Sequence, residues 1–194
     1  MLTKRSSVIL TAIGALFCLL SVAYVSCTKT GLAPKCNGVI CLNGGYCDSG
    51  LCKCPKGFEG GNCGTAVVSK YVNTYDVTQK IIGCDSPQYI GLTTNYMMIL
   101  KTTATPTTFF IDNFSGVSSY NDIICSIDSL NSSRFTLDTV SNFHQWYDHY
   151  RMEGGAGNIA VDSTITATFY IRITNATINY QHDTLSLKMK PHHF

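Results

Sequence analysis

Between Cys36 and Cys63 the chain reads CNGVICLNGGYCDSGLCKCPKGFEGGNC, six cysteines in 28 residues. The gaps between successive cysteines are 4, 5, 4, 1 and 8 residues. A segment this short buries too little surface to fold by itself, and below about 40 residues a staple is normally needed. The cysteines supply that staple, either as three disulfides or as metal ligands. Zinc sites favour Cys pairs about two to four residues apart, whereas a single residue separates Cys52 from Cys54. Six cysteines admit many pairings, and spacing alone does not choose among them.

Two runs within the stretch carry more information. Asn43-Gly44-Gly45-Tyr46-Cys47 matches N-G-G-x-C, and Cys54-Pro55-Lys56-Gly57-Phe58-Glu59-Gly60-Gly61-Asn62-Cys63 matches C-P-x-G-F-x-G-x-x-C. On these residues the segment resembles an EGF-like module. The resemblance implies an exported protein and the pairing Cys36 with Cys47, Cys41 with Cys52, and Cys54 with Cys63. The gap between Cys47 and Cys52 is short for the family, which predicts a minimal central hairpin. Calcium-binding members of the family resemble one another in an acidic cluster ahead of the first Cys. Here that place is Thr30-Gly31-Leu32-Ala33-Pro34-Lys35, with no carboxylate, and a hard cation needs several oxygen ligands. No calcium is expected.

Residues 1–26 read as a signal peptide: Lys4 and Arg5 lead an apolar run from Val8 to Val25. Val25-Ser26-Cys27 resembles a bacterial lipobox, with Tyr24 in the place usually held by Leu, and this implies lipidation of Cys27. A plain cleavable signal and an uncleaved anchor are the alternatives, since about 18 apolar residues just span a bilayer. Residues 27–35 form a short polar tether. The chain holds 14 Lys and Arg against 12 Asp and Glu, and loss of Lys4 and Arg5 leaves it formally neutral. Such a protein has no electrostatic footprint for nucleic acid.

Residues 65–190 carry the patterning of an antiparallel β domain, with 191–194 as a tail. From Thr164 to Ile173, Ile165, Ala167, Phe169, Ile171 and Ile173 share one face and Thr166, Thr168, Tyr170 and Arg172 the other, the period of a half-buried strand. Ile178 and Tyr180 begin a return strand that Leu185, Leu187 and Met189 continue. The apolar phase slips by one near His182-Asp183, which predicts a bulge or short loop. Tyr71, Tyr75 and Val77 alternate; so do Phe109 and Ile111, then Ile123, Cys125 and Ile127, then Phe135 and Leu137. Met97 to Leu100 is apolar on both faces, and Ile159 and Val161 form a weaker strand. The expected fold class is all-β: a disulfide-rich module followed by a barrel or sandwich of about eight strands. Cys84 and Cys125 remain; after export an even pair is most simply a disulfide, the alternative being two buried thiols.

The exception to the β pattern is Asn142 to Glu153, where Phe143, Trp146, Tyr147 and Tyr150 recur at helical spacing. This predicts one short helix, capped by Asn142 and ended by Gly154. Its aromatic face reads either as a lid over a barrel mouth or as a platform for a sugar or hydrophobic ligand. The tandem of lipobox-like signal, short EGF-like module and Thr-rich β domain resembles surface lipoproteins of Bacteroidota, whose C-terminal domains are lipocalin-like barrels. Tyr71-Val72-Asn73-Thr74-Tyr75-Asp76-Val77 resembles the first strand of such domains and Ile111-Asp112-Asn113-Phe114 a strand end.

No G-x-S-x-G, H-E-x-x-H or phosphate-binding Gly loop occurs, and His144 and His149 do not share a helical face. No catalytic residue, metal or cofactor is assigned, and the chain is not read as an enzyme. The resemblance implies a lipid-anchored protein of the outer membrane or cell surface with a binding or structural role. Its partners would be the membrane, through the lipid, and a protein, glycan or small hydrophobic ligand. A lipocalin-type carrier and a surface hydrolase with an unrecognised site are the alternatives.

Overall fold

The computed structural model describes residues 35–138, 150–173 and 181–193. The signal segment, Cys27, the stretch holding Phe143, Trp146 and Tyr147, and the strand start at Ile178 and Tyr180 lie outside the described residues.

The N-terminal region is a small disulfide-bonded unit. β1 (Tyr46–Asp48) and β2 (Leu51–Lys53) form a hairpin joined by Ser49 and Gly50. Both turn residues have positive φ, 56° and 91°, the geometry that matches the twist of a two-residue hairpin. Cys47 stands opposite Cys52 in the register. The bridges Cys36–Cys47 and Cys41–Cys52 therefore leave from facing positions, and Cys54–Cys63 closes the last loop. This is the pairing that the family resemblance implies. β3 (Phe58–Glu59) pairs with β4 (Thr65–Ala66), which carries the unit past Cys63.

A 3-10 turn at Val67–Lys70 leads into a closed barrel. Its strands are β5 (Asn73–Cys84), β6 (Thr93–Thr102), β7 (Thr108–Asp112), β8 (Ile123–Ile127), β9 (Arg134–Leu137), β10 (Tyr150–Ile159), β11 (Ile165–Ile173) and β12 (Gln181–Pro191). Each strand pairs antiparallel with its neighbours in sequence, and β12 returns to pair with β5. An up-and-down barrel of this kind leaves no free edge.

The alternation read from the sequence is the inward face. Tyr75 and Val77, Met98 and Leu100, Phe109 and Ile111, Ile123, Cys125 and Ile127, Phe135 and Leu137, and Ile165 through Ile171 at every second residue are all buried. Tyr71 is buried too, but in the turn before β5 and not in the strand. Met97 and Ile99, on the outer face of β6, stay exposed.

Aromatic rings fill the interior. Tyr71 stacks on Phe109 at 5.0 Å, and Phe135 meets both edge-on at 5.7 and 5.1 Å. Phe114 meets Phe169 edge-on at 5.7 Å. An eight-stranded barrel is just wide enough for side chains to fill, so something must give way to these rings. The glycines of β10 do so. Gly157 lies opposite Phe135 in the ladder, and a Cβ there would collide with the Phe135 ring and with Thr166 O, 2.8 Å away. A Cβ on Gly155 would meet Phe169 in the same manner.

Three expectations are corrected. Tyr150 to Glu153 belong to β10 and are not helical; their backbone is held by pairing with Ile173, Arg172 and Ile171 of β11. Gly154 lies inside that strand and ends nothing, and Val161 projects from the following turn. Cys84 and Cys125 are not bridged. Cys84 ends β5 and Cys125 sits in β8, with β6 and β7 between them around the barrel. Finally, the irregularity expected near His182-Asp183 is not a loop: β12 runs unbroken from Gln181, with Gln181 and Asp183 at inward positions. The bulge lies across the ladder, where Thr184 faces Gly83 and Leu185 faces Ile81.

Gly157→Ala is expected to lower the unfolding free energy by about 1–3 kcal/mol in urea titration, through overpacking against Phe135. Combined with Phe135→Leu it should cost less than the two changes separately, because they share one contact. Additive losses would mean that Gly157 does not yield space to that ring.

Candidate functional site

The two ends of the barrel differ in chemistry. At one end lie the starts of β5, β7, β9 and β11, and there the disulfide unit is seated. Val67 N–H donates to Gly57 O at 2.9 Å and Val68 N–H to Pro106 O at 3.1 Å. Gly57 has φ of 91°, and a Cβ would come within 2.7 Å of Pro106, so the backbone approaches as only glycine allows. Lys70 Nζ donates to Glu59 Oε2 and to Ser132 Oγ, both at 2.9 Å. Tyr71 donates from its hydroxyl to Ser132 O, and Tyr75 from its own to Tyr71 O, each at 2.9 Å. A cleft of about 380 Å³ remains at this junction, lined in part by Lys56, Glu59, Asp128, Ser129 and Ser132.

The opposite end presents polar groups to the interior. Gln181 and Asp183 are 5% and 4% exposed. Gln181 Nε2 donates to Asp183 Oδ1 and approaches Cys84 Sγ, both at 2.9 Å. On the adjoining strands Gln79 shares the inward face of Tyr75 and Val77, and Tyr96 that of Met98. Gln79 Oε1 accepts from the Tyr96 hydroxyl at 2.9 Å and from Ser115 Oγ at 3.0 Å. Ser115 lies in the β7–β8 connection, whose Phe114 and Tyr120 turn into the core. Outside the rim, Glu153 meets His182 at 3.0 Å and Arg172 at 3.4 Å.

Burial, then the neighbouring Asp183, pushes the Cys84 thiol up; burial does the same to Cys125. Neither is primed as a thiolate nucleophile, which needs a depressed pKa. Among the described residues no group of His, Cys, Asp and Glu gathers to hold a metal. This end carries a carboxylate, two carboxamides and a phenol on the inner wall above an apolar floor.

No protein-family model matches the chain, and no curated protein matches it.

Of the residues singled out from the sequence, Phe143, Trp146 and Tyr147 fall between β9 and β10, outside the described residues, and Tyr150 is the first residue of β10. The six cysteines of the N-terminal unit are placed as paired. Gln181, Asp183, Gln79 and Tyr96 were not found from the sequence. The broken apolar phase near His182-Asp183 was the one signal close to Gln181 and Asp183, and Gln79 and Tyr96 had none.

Burial pushes the Tyr75 phenol up from 10.0 to about 12 and raises those of Tyr71 and Tyr96 further still. A phenol that holds its proton more tightly when folded stabilises the fold fully below its ordinary value. That contribution is lost as pH rises through the folded value. In an alkaline titration Tyr71, Tyr75 and Tyr96 should ionise only as the β circular dichroism collapses. Their ionisation in a chain that keeps its β signal would contradict the burial.

Proposed function

We propose that this is an exported cell-envelope protein, anchored by a lipid on Cys27, in which an EGF-like module supports a lipocalin-type barrel that binds a ligand at the end away from the module. The observation that carries the reading is the placement of Gln181 and Asp183 at two inward positions of β12, where Leu185, Leu187 and Met189 continue the same face. Burying a carboxylate is costly even when it is hydrogen-bonded. Apolar side chains there would extend the core. Residues kept at such a cost to stability are typical of functional sites. The ligand class that fits is a small molecule with hydrogen-bond donors at one end and an apolar remainder. A carrier of a wholly hydrophobic ligand fits this wall less well. A surface hydrolase would need an activated nucleophile or water, and the raised Cys84 thiol does not supply one.

Replacement of both residues, Gln181→Leu with Asp183→Leu, should leave the barrel folded with an unchanged or higher urea midpoint. Native mass spectrometry of chain gently extracted from its own membranes should show a small-molecule adduct on the parent and none on the double variant. A parent chain that is bare, with a double variant less stable than it, would make the pair structural and sink the binding reading. For the anchor, Cys27→Ser should move the protein out of the carbonate-washed membrane fraction. Retention there would mean that residues 8–25 are an uncleaved span.

A further inference from the structure

The barrel is filled with side chains through its middle, where Val77, Met98, Phe169 and Leu185 are buried. At the end away from the disulfide unit the filling thins. Ile81, Cys84 and Ile173 face inward there and are only half-buried, as are Gln79 and Tyr96. Asp183 stands on this wall, opposite Cys84 of β5 and Ile171 of β11 in the two ladders. It is 4% exposed, and the hydrogen bond it takes from Gln181 comes from a neutral amide. A carboxylate at that depth is costly unless a cation meets it.

The chain places no cation to do so. Among the described residues Asp183 takes part in no ion pair. Every Lys, Arg and His on the eight strands occupies an outward position. The nearest are His182, beside Asp183 in β12, and Arg172, which faces His182 in the ladder. Both turn to Glu153 outside the rim, at 3.0 and 3.4 Å. The connections that join strands at this end span residues 85–92, 113–122, 138–149 and 174–180, and none contains a Lys or Arg. Their only basic residues are His144 and His149, and a histidine of ordinary pKa, about 6.5, is neutral at about pH 8. A cavity that carries one sign of charge draws the opposite sign from solution.

We propose that the ligand held at this end is an organic ammonium ion, its charged nitrogen on Asp183 and its apolar remainder against Ile81, Ile171 and Ile173. The proposal rests on the reading of this end as a binding site and adds the charge of the ligand to it. An ammonium group carries donors only. The Asp183 carboxylate accepts from it, and so does the carboxamide oxygen of Gln181, whose Nε2 is already turned to Asp183 and Cys84. A hydroxyl in the same place leaves the charge of Asp183 unopposed, and a carboxylate adds to it. The order of affinity for one apolar tail is therefore ammonium, then alcohol, then carboxylate.

The test is calorimetric titration of the full chain, held in nonionic amphipol, with hexylammonium, hexanol and hexanoate. At about pH 8 histidine is neutral, while a primary amine, like that of lysine at about 10.4, stays charged. Hexylammonium should bind at least about tenfold more tightly than hexanol, as for a close charge pair, and hexanoate should not bind. Asp183→Asn keeps the shape and an acceptor for Gln181, and should bring hexylammonium to within about twofold of hexanol, the charge contribution being gone. The preference within the parent chain needs no variant, so it stands even where Asp183→Asn fails to fold. Hexanol binding the parent as tightly as hexylammonium, or a folded Asp183→Asn chain that keeps the full preference, would overturn the proposal. Equal binding of the two, lost in Gln181→Leu with Asp183→Leu, would leave the binding site standing and remove only the charge. Absence of heat from all three probes would also overturn it, and the site itself would then be decided by the native adduct measurement.

Discussion

The ladder between β12 and β5 is the constraint on which the rest of the structure depends. It joins the last strand to the first, with nine residue pairs from Asp183–Cys84 to Pro191–Tyr75. Without it the meander is an open sheet with two edges, and inward-facing side chains need not converge. With it, the interior has a fixed width, and every inward residue competes for the same space. The glycines of β10 follow from that competition: Phe135 and Phe169 reach the centre only because Gly157 and Gly155 have nothing in the way.

Closure also explains why the disulfide unit is more than an appendage. A filled barrel has two ends, and one is covered by the unit through main-chain hydrogen bonds at Gly57 and Pro106 and through the Lys70–Glu59 pair. Tyr71 belongs to both parts. Its ring completes the aromatic cluster with Phe109 and Phe135, and its hydroxyl reaches Ser132 in the connection between β8 and β9. The polar inner wall at Gln181 and Asp183 lies at the other end of the barrel.

The sequence made some of this legible and hid the rest for identifiable reasons. β11 was readable because the period of two runs through Ile165, Ala167, Phe169 and Ile171 without interruption. The cysteine unit was readable because its spacing and turn residues are tightly constrained. β10 was not, beyond Ile159, since Gly155 and Gly157 leave no apolar trace at two of its inward positions and its first residue continues an aromatic pattern of helical spacing. The bridge expected between Cys84 and Cys125 failed because parity of cysteines says nothing of distance around a barrel. The inner wall was missed because a pattern of apolar residues is blind to a polar side chain that faces inward.

Both breaks in the ladder lie toward the same rim. The β5–β12 pairing slips between Thr184 and Leu185, and the β10–β11 pairing between Met152 and Gly154, next to Ile171 and Asp183. At the end that carries the disulfide unit the registers run without a slip. A bulge leaves a residue unpaired and adds local twist, and strand segments with fewer continuous hydrogen bonds open at lower free energy. The barrel therefore has a stiff end and a compliant one. Its amide protons should be protected in a gradient along each strand, with the fastest opening at the rim where Gln181 and Asp183 face inward.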